Sequence, residues 1–258
     1  ATGHYCRREE WRDSEGVTHY NLLAGSDPNK DQSYFLCQLS QEQLSYAMFP
    51  IGELLKPEVR RIAEEQRLAT AKRKDSQGIC FVGKVDLPVF LQQRLAAKEG
   101  NVHEIVAHSP RFVRKCAENH YKALAEPYRM TVRDGKKIGV HQGAHFYTIG
   151  QRKGLGIALG YPAYVLKINA AKNTVMLGTE EQLLARHMLV DEPQWVGDVP
   201  ENLTVRVRYR SRSIACGAPQ ATGDGRWLVR LHEAVSAITP GQSAVFYEGN
   251  RVVGGAFI

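Results

Sequence analysis

No Cys-x-x-Cys pair occurs in this chain, and its five cysteines, Cys6, Cys37, Cys80, Cys116 and Cys216, form an odd and widely scattered set. That excludes the usual thiolate zinc site and the dense, even cysteine pattern of a disulfide-stapled secreted domain. No apolar run reaches the roughly 18 residues of a membrane span, and no basic-then-apolar leader opens the sequence. A cytoplasmic protein with no membrane partner is expected. Neither a G-x-x-x-x-G-K-[ST] loop nor a G-x-G-x-x-G fingerprint is present, so the sequence offers no phosphate-cradling loop of its own. Fixed-period repeats and low-complexity tracts are also missing. His141 and His145 stand at i, i+4, but Gly143 between them opposes a helix and no acidic third ligand accompanies them, so no metal site is expected.

What remains is ordinary for a globular protein: 258 residues, 43% apolar and 24% charged. The net charge of +7 is concentrated in the middle of the chain, where residues 101–160 hold ten Lys and Arg against four Asp and Glu. Such a bias suits a polyanionic partner, although charge alone favours a solvated surface.

Cys80 lies in Lys74-Asp75-Ser76-Gln77-Gly78-Ile79-Cys80-Phe81-Val82-Gly83-Lys84. Neighbouring cations favour the thiolate, the nucleophilic form, and Lys72, Arg73, Lys74 and Lys84 supply them. The other reading is a buried structural cysteine. In Val205-Arg206-Val207-Arg208-Tyr209-Arg210-Ser211-Arg212, strand geometry puts the four arginines on one face, a ribbon suited either to phosphate contact or to a network with acidic neighbours. Thr148-Ile149-Gly150-Gln151-Arg152-Lys153-Gly154-Leu155-Gly156-Ile157 is glycine-rich and basic, which suits a sharp turn or a close backbone approach. Asp27-Pro28-Asn29-Lys30-Asp31-Gln32-Ser33-Tyr34-Phe35 clusters polar groups at a loop-to-helix junction. It reads as a recognition loop or as a capped helix start.

Ser40 and Gln43 form a capping box for a helix running to about Met48, and Pro57 opens a second helix. A mixed, helical stretch is expected over residues 101–129. From about residue 130 the pattern changes to short strands separated by turn residues. They are Arg129–Val132, Ala163–Ile168, Val175–Leu177, Leu203–Arg212, Trp227–Leu231, Ala244–Tyr247 and Val252–Ile258, with turns at Asp134-Gly135, Asp224-Gly225 and Glu248-Gly249-Asn250, which suggests a barrel or sandwich.

These segments, in this order, resemble the tRNA-specific 2-thiouridylase family, which places sulfur on C2 of the wobble uridine of certain tRNAs. The resemblance is carried by Ala1-Thr2-Gly3-His4-Tyr5, Asn29 to Phe35, Asp75-Ser76 with Gly78-Ile79-Cys80-Phe81, His141-Gln142-Gly143, Gly150 to Ile157, and Thr239-Pro240-Gly241-Gln242-Ser243-Ala244-Val245. It implies an α/β plus β architecture: the end of an α/β ATP-pyrophosphatase domain over residues 1–84, a small central domain over 85–185 with an insertion near 101–129, and a C-terminal antiparallel β-barrel over 186–258. It further implies that Cys80 carries the transferable sulfur as a persulfide and that Gly3 lies against ATP. His4, Lys30, Asp31, Gln32, Arg208, Tyr209 and Gln242 would touch tRNA, and a persulfide donor protein would supply the sulfur.

The sequence also departs from the family. The Ser-Gly-Gly-Val-Asp-Ser pyrophosphatase loop and the second catalytic cysteine of its members have no match here, and Cys6 lies outside the second-cysteine motif. A tRNA 2-sulfurtransferase is therefore expected in complete form, with the isolated chain inactive. The alternative is a non-catalytic tRNA-binding module that has lost the ATP site. A cysteine hydrolase using Cys80 and a histidine base finds no local signature.

Overall fold

The computed structural model of the chain describes residues 4–72, 97–106, 125 and 130–258. Its strands are β1 (Cys6–Arg12), β2 (Thr18–Ala24), β3 (Gly100–Ile105), β4 (Gly135–His141), β5 (Tyr164–Asn169), β6 (Thr174–Gly178), β7 (Leu184–Trp195), β8 (Leu203–Arg206), β9 (Ile214–Cys216), β10 (Gln220–Ala221), β11 (Arg226–Ser236), β12 (Ser243–Glu248) and β13 (Arg251–Phe257). Two α-helices are described, α1 (Gln41–Tyr46) and α2 (Lys56–Glu65). The chain divides into two compact units, one of Ala1–Lys74, His187–Glu233 and Pro240–Ile258, the other of Asp75–Arg186 and Ala234–Thr239.

In the first unit, β13, β12, β8, β9, β11 and β7 follow one another around a barrel, which closes because β7 pairs with both β11 and β13. Closure leaves these strands no open edge. Along β12, Ala244, Val245, Phe246 and Tyr247 are all buried. Full burial on both faces arises because Val245 and Tyr247 enter a second apolar cluster with Cys6, Leu22, Tyr34, Cys37, Leu44, Val196 and Val252, while Phe246 meets the Trp195 ring at 5.3 Å. The β1–β2 hairpin joins the same sheet through β2, with Leu22 opposite Val252.

Helix α1 spans only 6 residues, too short to hold itself in water. Its capping box, Ser40 with Gln43, satisfies the first-turn amides, and fully buried Leu44 anchors it. In α2, Pro57 occupies the first turn and the Glu58 side chain accepts from the Leu55 N–H at 2.8 Å.

The second unit contains a four-stranded mixed sheet in the order β4-β3-β6-β5, in which only β3 and β6 run parallel. Val102, Val165, Val175 and Leu177 with Ala144, Leu155 and Ala163 form one core, and Ile105, Met130, Leu166 and Met176 form another.

The closed antiparallel barrel, the mixed sheet and the small helical content agree with the α/β plus β expectation. Three local expectations are corrected. The strand read over Leu203–Arg212 ends at Arg206, because the Arg208 N–H donates to Ser211 Oγ at 3.3 Å while the Ser211 N–H and hydroxyl return to the Arg208 carbonyl at 3.0 and 2.9 Å, closing a turn. The stretch expected to be helical over 101–129 opens instead with strand β3, in which Gly100 and Val102 are buried and a bulge after Val102 shifts the next buried position to Ile105; of the rest, Ala125 is described and helical. Val132, expected in a strand, begins a 3-10 turn capped by the Asp134 carboxylate, which accepts from Thr131 N–H at 2.7 Å.

Candidate nucleic-acid interface

The polar loop beginning at Asp27 is shaped by its own carboxylates. Buried Asp27 accepts from the Asn29 N–H at 2.9 Å through Oδ1 and from the Lys56 N–H at 3.0 Å through Oδ2, while its carbonyl accepts from Lys30 and Asp31 N–H. This is an Asx-type turn that also covers the Lys56 N–H at the start of α2. Ser26 N–H donates to the Gly52 carbonyl at 2.9 Å. Gly52 in turn abuts the Cys6 carbonyl so closely that a Cβ there would lie 1.6 Å from that oxygen.

Asp31 is buried, and three internal donors use its carboxylate. Gly25 and Ser33 N–H reach Oδ1 at 3.2 and 3.0 Å, and Arg206 Nη1 reaches Oδ2 at 3.0 Å. The Arg206 guanidinium also lies 4.6 Å from the Tyr247 ring centroid and donates from Nε to Ser213 Oγ at 3.0 Å. Further along, Ser33 Oγ and Tyr247 Oη are 3.3 Å apart, and Tyr34 Oη donates to the Ser243 carbonyl at 2.8 Å. The loop is thereby fixed onto β8 and β12 of the barrel. Burial raises the pKa of both Tyr34 and Tyr247, so these phenols stay protonated hydrogen-bonding groups.

Gln32 is joined to Tyr5 twice: its N–H donates to the Tyr5 carbonyl and its Oε1 accepts from the Tyr5 N–H, both at 3.1 Å. That pairing sets half-buried His4 next to the loop. Lys30 is half-buried, and exposed Gln242 directly precedes Ser243, the acceptor for Tyr34.

Between the loop and the Arg206–Ser211 turn lies a polar cleft of about 480 Å³, lined by Pro28, Asn29, Asp31, Arg206, Tyr209, Arg210 and Ser211. Two stretches more than 170 residues apart in sequence meet here; the Asp31 to Arg206 separation is 175. The four arginines divide in role. Arg206 is held by Asp31, Arg212 pairs with Glu233 at 2.7 Å, and Arg208 and Arg210 sit in the turn, Arg210 exposed. With Arg206 paired to Asp31 and the Ser211 hydroxyl donating to the Arg208 carbonyl, Arg210 and Asn29 bring a guanidinium and an amide to the wall of the open cleft, donor types that suit phosphate oxygens.

Gly3 and Cys80 lie outside the described residues, as do Cys116 and most of the 101–129 stretch. The cysteines that are described, Cys6, Cys37 and Cys216, are free and buried, with burial pushing their thiols up to about 12, 11 and 12. Such thiols are poor nucleophiles. Among the described residues no group of His, Cys, Asp and Glu could hold a metal ion, and no helix is long and apolar enough to cross a membrane.

In the second unit the glycine-rich basic segment wraps onto β5. Gly150 N–H donates to the Val165 carbonyl at 2.8 Å and Val165 N–H to the Gln151 carbonyl at 3.0 Å. Gly150, Gly154 and Gly156 take φ of 82, 73 and 69°, the left-handed region that favours glycine. Arg152 and Lys153 are exposed at its tip.

Sequence reasoning singled out Asp31 and Tyr209, and Arg206 and Arg210 within the arginine ribbon, but not that the loop and the turn meet in one cleft with Ser211 on its wall, and it missed the part Phe35 plays beside Tyr209. The available signal was a large aromatic, Phe35, ending a run of polar residues.

Comparison with known proteins gives three matches along the chain. Residues 1–84 match the tRNA methyl transferase HUP domain, residues 121–179 the tRNA methyl transferase PRC-barrel domain, and residues 185–258 the aminomethyltransferase beta-barrel domain. The whole chain is 40% identical to the tRNA-specific 2-thiouridylase MnmA of Christiangramia forsetii and 43% identical to that of Flavobacterium johnsoniae, spanning 69% of each. It is 44% identical to the tRNA-specific 2-thiouridylase MnmA 3 of Bacteroides fragilis, spanning 64% of that protein.

Proposed function

The chain belongs to the tRNA-specific 2-thiouridylase family, and on that footing we propose that it serves tRNA 2-thiouridylation, with Cys80 as sulfur carrier and the Asp31–Tyr209 cleft as part of the tRNA-binding surface. The observation that carries this reading is the meeting of the Asp27–Phe35 loop and the Arg206–Ser211 turn in one donor-rich cleft. The relatives all bear a 2-thiouridylase name, which does not favour a non-catalytic binding module.

ATP is the co-substrate in this proposal. The uridine O2 attacks its α-phosphorus, pyrophosphate departs, and the oxygen becomes part of a leaving group. The terminal sulfur of a Cys80 persulfide attacks C2 and AMP leaves. A second cysteine thiolate then attacks the Cys80 sulfur, forming a disulfide and freeing the sulfur on the base. Cys6, buried and protonated, does not fit that second role. A dithiol reductant then opens that disulfide and restores the Cys80 thiolate, which a persulfide-bearing protein reloads by transfer of its terminal sulfur; the cytoplasm, where such thiols are kept reduced, is the proposed compartment.

His4, Lys30, Gln32, Arg208, Tyr209 and Gln242 are proposed tRNA contacts. Asp31 acts differently, as a positioning residue that orients Arg206. Residues 1–84, 85–185 and 186–258 are proposed as the end of the catalytic α/β domain, the central domain and the barrel, with Gly3 beside the nucleotide. The test uses the full-length gene product with tRNA, ATP and a persulfide donor. Nucleoside mass spectrometry should find 2-thiouridine that Cys80→Ser abolishes without loss of tRNA affinity; formation undiminished by Cys80→Ser overturns the proposal.

A further inference from the structure

Phe35 is 57% exposed although it sits on a short 3-10 turn whose neighbours Ser33 and Tyr34 are buried. A large apolar ring held in water is informative when its mounting is rigid. Here the mounting is rigid: Phe35 lies 4.5 Å from the Tyr209 ring at 41° and 5.5 Å, edge-on, from Tyr34. Tyr34 is pinned by its hydrogen bond to the Ser243 carbonyl, and Tyr209 packs on the apolar cluster that contains Tyr34 and Tyr247. Tyr209 also lines the polar cleft with Arg206, Arg210 and Ser211. An aromatic step thus adjoins a polar cleft that carries the exposed Arg210 guanidinium, and the Tyr209 ring belongs to both.

From this juxtaposition we infer that Phe35, with Tyr209 behind it, is a stacking platform for an unpaired nucleobase whose flanking phosphate occupies the cleft; this rests on the tRNA-binding reading above. Phosphate donors alone suit many anions, but an exposed ring beside them matches a single-stranded nucleotide, which presents a π-face and a phosphate together. Stacking is sequence-tolerant, so Phe35 supplies affinity for a splayed base and leaves base identity to other groups. The platform carries no charge, and its contribution is independent of salt.

The test is a titration of unmodified tRNA transcript, and separately of a blunt 16-base-pair RNA duplex, with the wild-type chain, Phe35→Leu and Phe35→Trp at several salt concentrations. Phe35→Leu keeps apolar bulk and removes the ring. It should weaken tRNA binding about tenfold, within the range for loss of one base–aromatic stack, while the slope of log K against log salt stays unchanged. Phe35→Trp should bind tRNA like the wild type, and duplex affinity should be the same for all three proteins. Equal tRNA affinity of Phe35→Leu and wild type overturns the platform alone, as does equal weakening by Leu and Trp or a large loss of thermal stability in Phe35→Leu. Absence of tRNA binding by the wild-type chain overturns the reading on which the platform rests.

Discussion

Asp31 and Arg206, 175 positions apart, are joined by an ion pair of 3.0 Å that ties the polar loop to strand β8 at the rim of the cleft. The Asp31 side chain retains 6% of its exposure and that of Arg206 27%, so solvent screens the contact little on one side. Two backbone N–H groups, from Gly25 and Ser33, depend on the same carboxylate. Asp31→Ala should therefore cost about 2–3 kcal/mol, most of it from donors left without an acceptor. Glu233→Ala, which breaks the exposed pair with Arg212, should stay within about 0.5 kcal/mol. Urea denaturation of both variants checks this, and equal small losses would mean the loop is held by packing alone.

Gly52 holds the start of the loop from the other side. A methyl group there would meet the Cys6 carbonyl at 1.6 Å, a backbone contact that no rotamer change relieves. Gly52→Ala should cost about 3 kcal/mol, as overpacking against main chain does. Equilibrium denaturation gives the value, and a loss under about 0.5 kcal/mol would show that the chain around Ser26 and Cys6 yields easily.

The described thiols should be silent. With Cys6, Cys37 and Cys216 buried and held near 12, 11 and 12, iodoacetamide at pH 7.5 should label none of them in the folded chain and all of them in urea. Peptide mass spectrometry reads the sites. Rapid native labelling of any of the three would contradict the burial described here.

His141 ends β4, buried, with Nδ1 accepting the Gly143 N–H at 2.9 Å. Burial lowers its pKa first, His145 lowers it further, and the Asn173 carbonyl partly opposes them. His103 is lowered likewise, by burial and then by Lys137. A histidine depressed in the folded state takes its proton more readily when unfolded, so the unfolded chain gains protons as pH falls through about 6.5 and stability declines below that point. Thermal unfolding should show a melting temperature level from pH 8 to 7 and falling towards pH 5, with a shallower fall in His141→Gln. An unchanged slope in that variant would assign the acid sensitivity to other groups.

Local chemistry was legible in the sequence where neighbours in the chain decide the outcome. The Ser40–Gln43 capping box, Pro57 in the first turn of α2 and the Glu248-Gly249-Asn250 turn between β12 and β13 all depend on residues within one turn of each other. Hairpin β1–β2 gave little signal because Cys6-Arg7-Arg8-Glu9-Glu10-Trp11-Arg12 lacks apolar alternation; mostly exposed, it is held as a strand by pairing with β2. The arginine ribbon was half right: Val205 and Val207 are buried and Arg206 and Arg208 half-exposed, as alternation requires, yet Ser211 turns the chain after Arg206. That Asp31 faces Arg206 rather than solvent depends on a contact 175 residues distant, which no local pattern encodes.

The central claim is that the cleft between the loop and the Arg206–Ser211 turn binds tRNA phosphate, and Arg210, exposed on its wall, tests it most directly. Unmodified tRNA transcript is titrated with the wild-type chain and with Arg210→Ala at several salt concentrations. If the claim holds, the variant binds more weakly, the slope of log K against log salt falls by about one, and folding stability changes by no more than about 0.5 kcal/mol. Unchanged affinity and an unchanged slope would contradict it and leave Arg210 as a solvated surface charge.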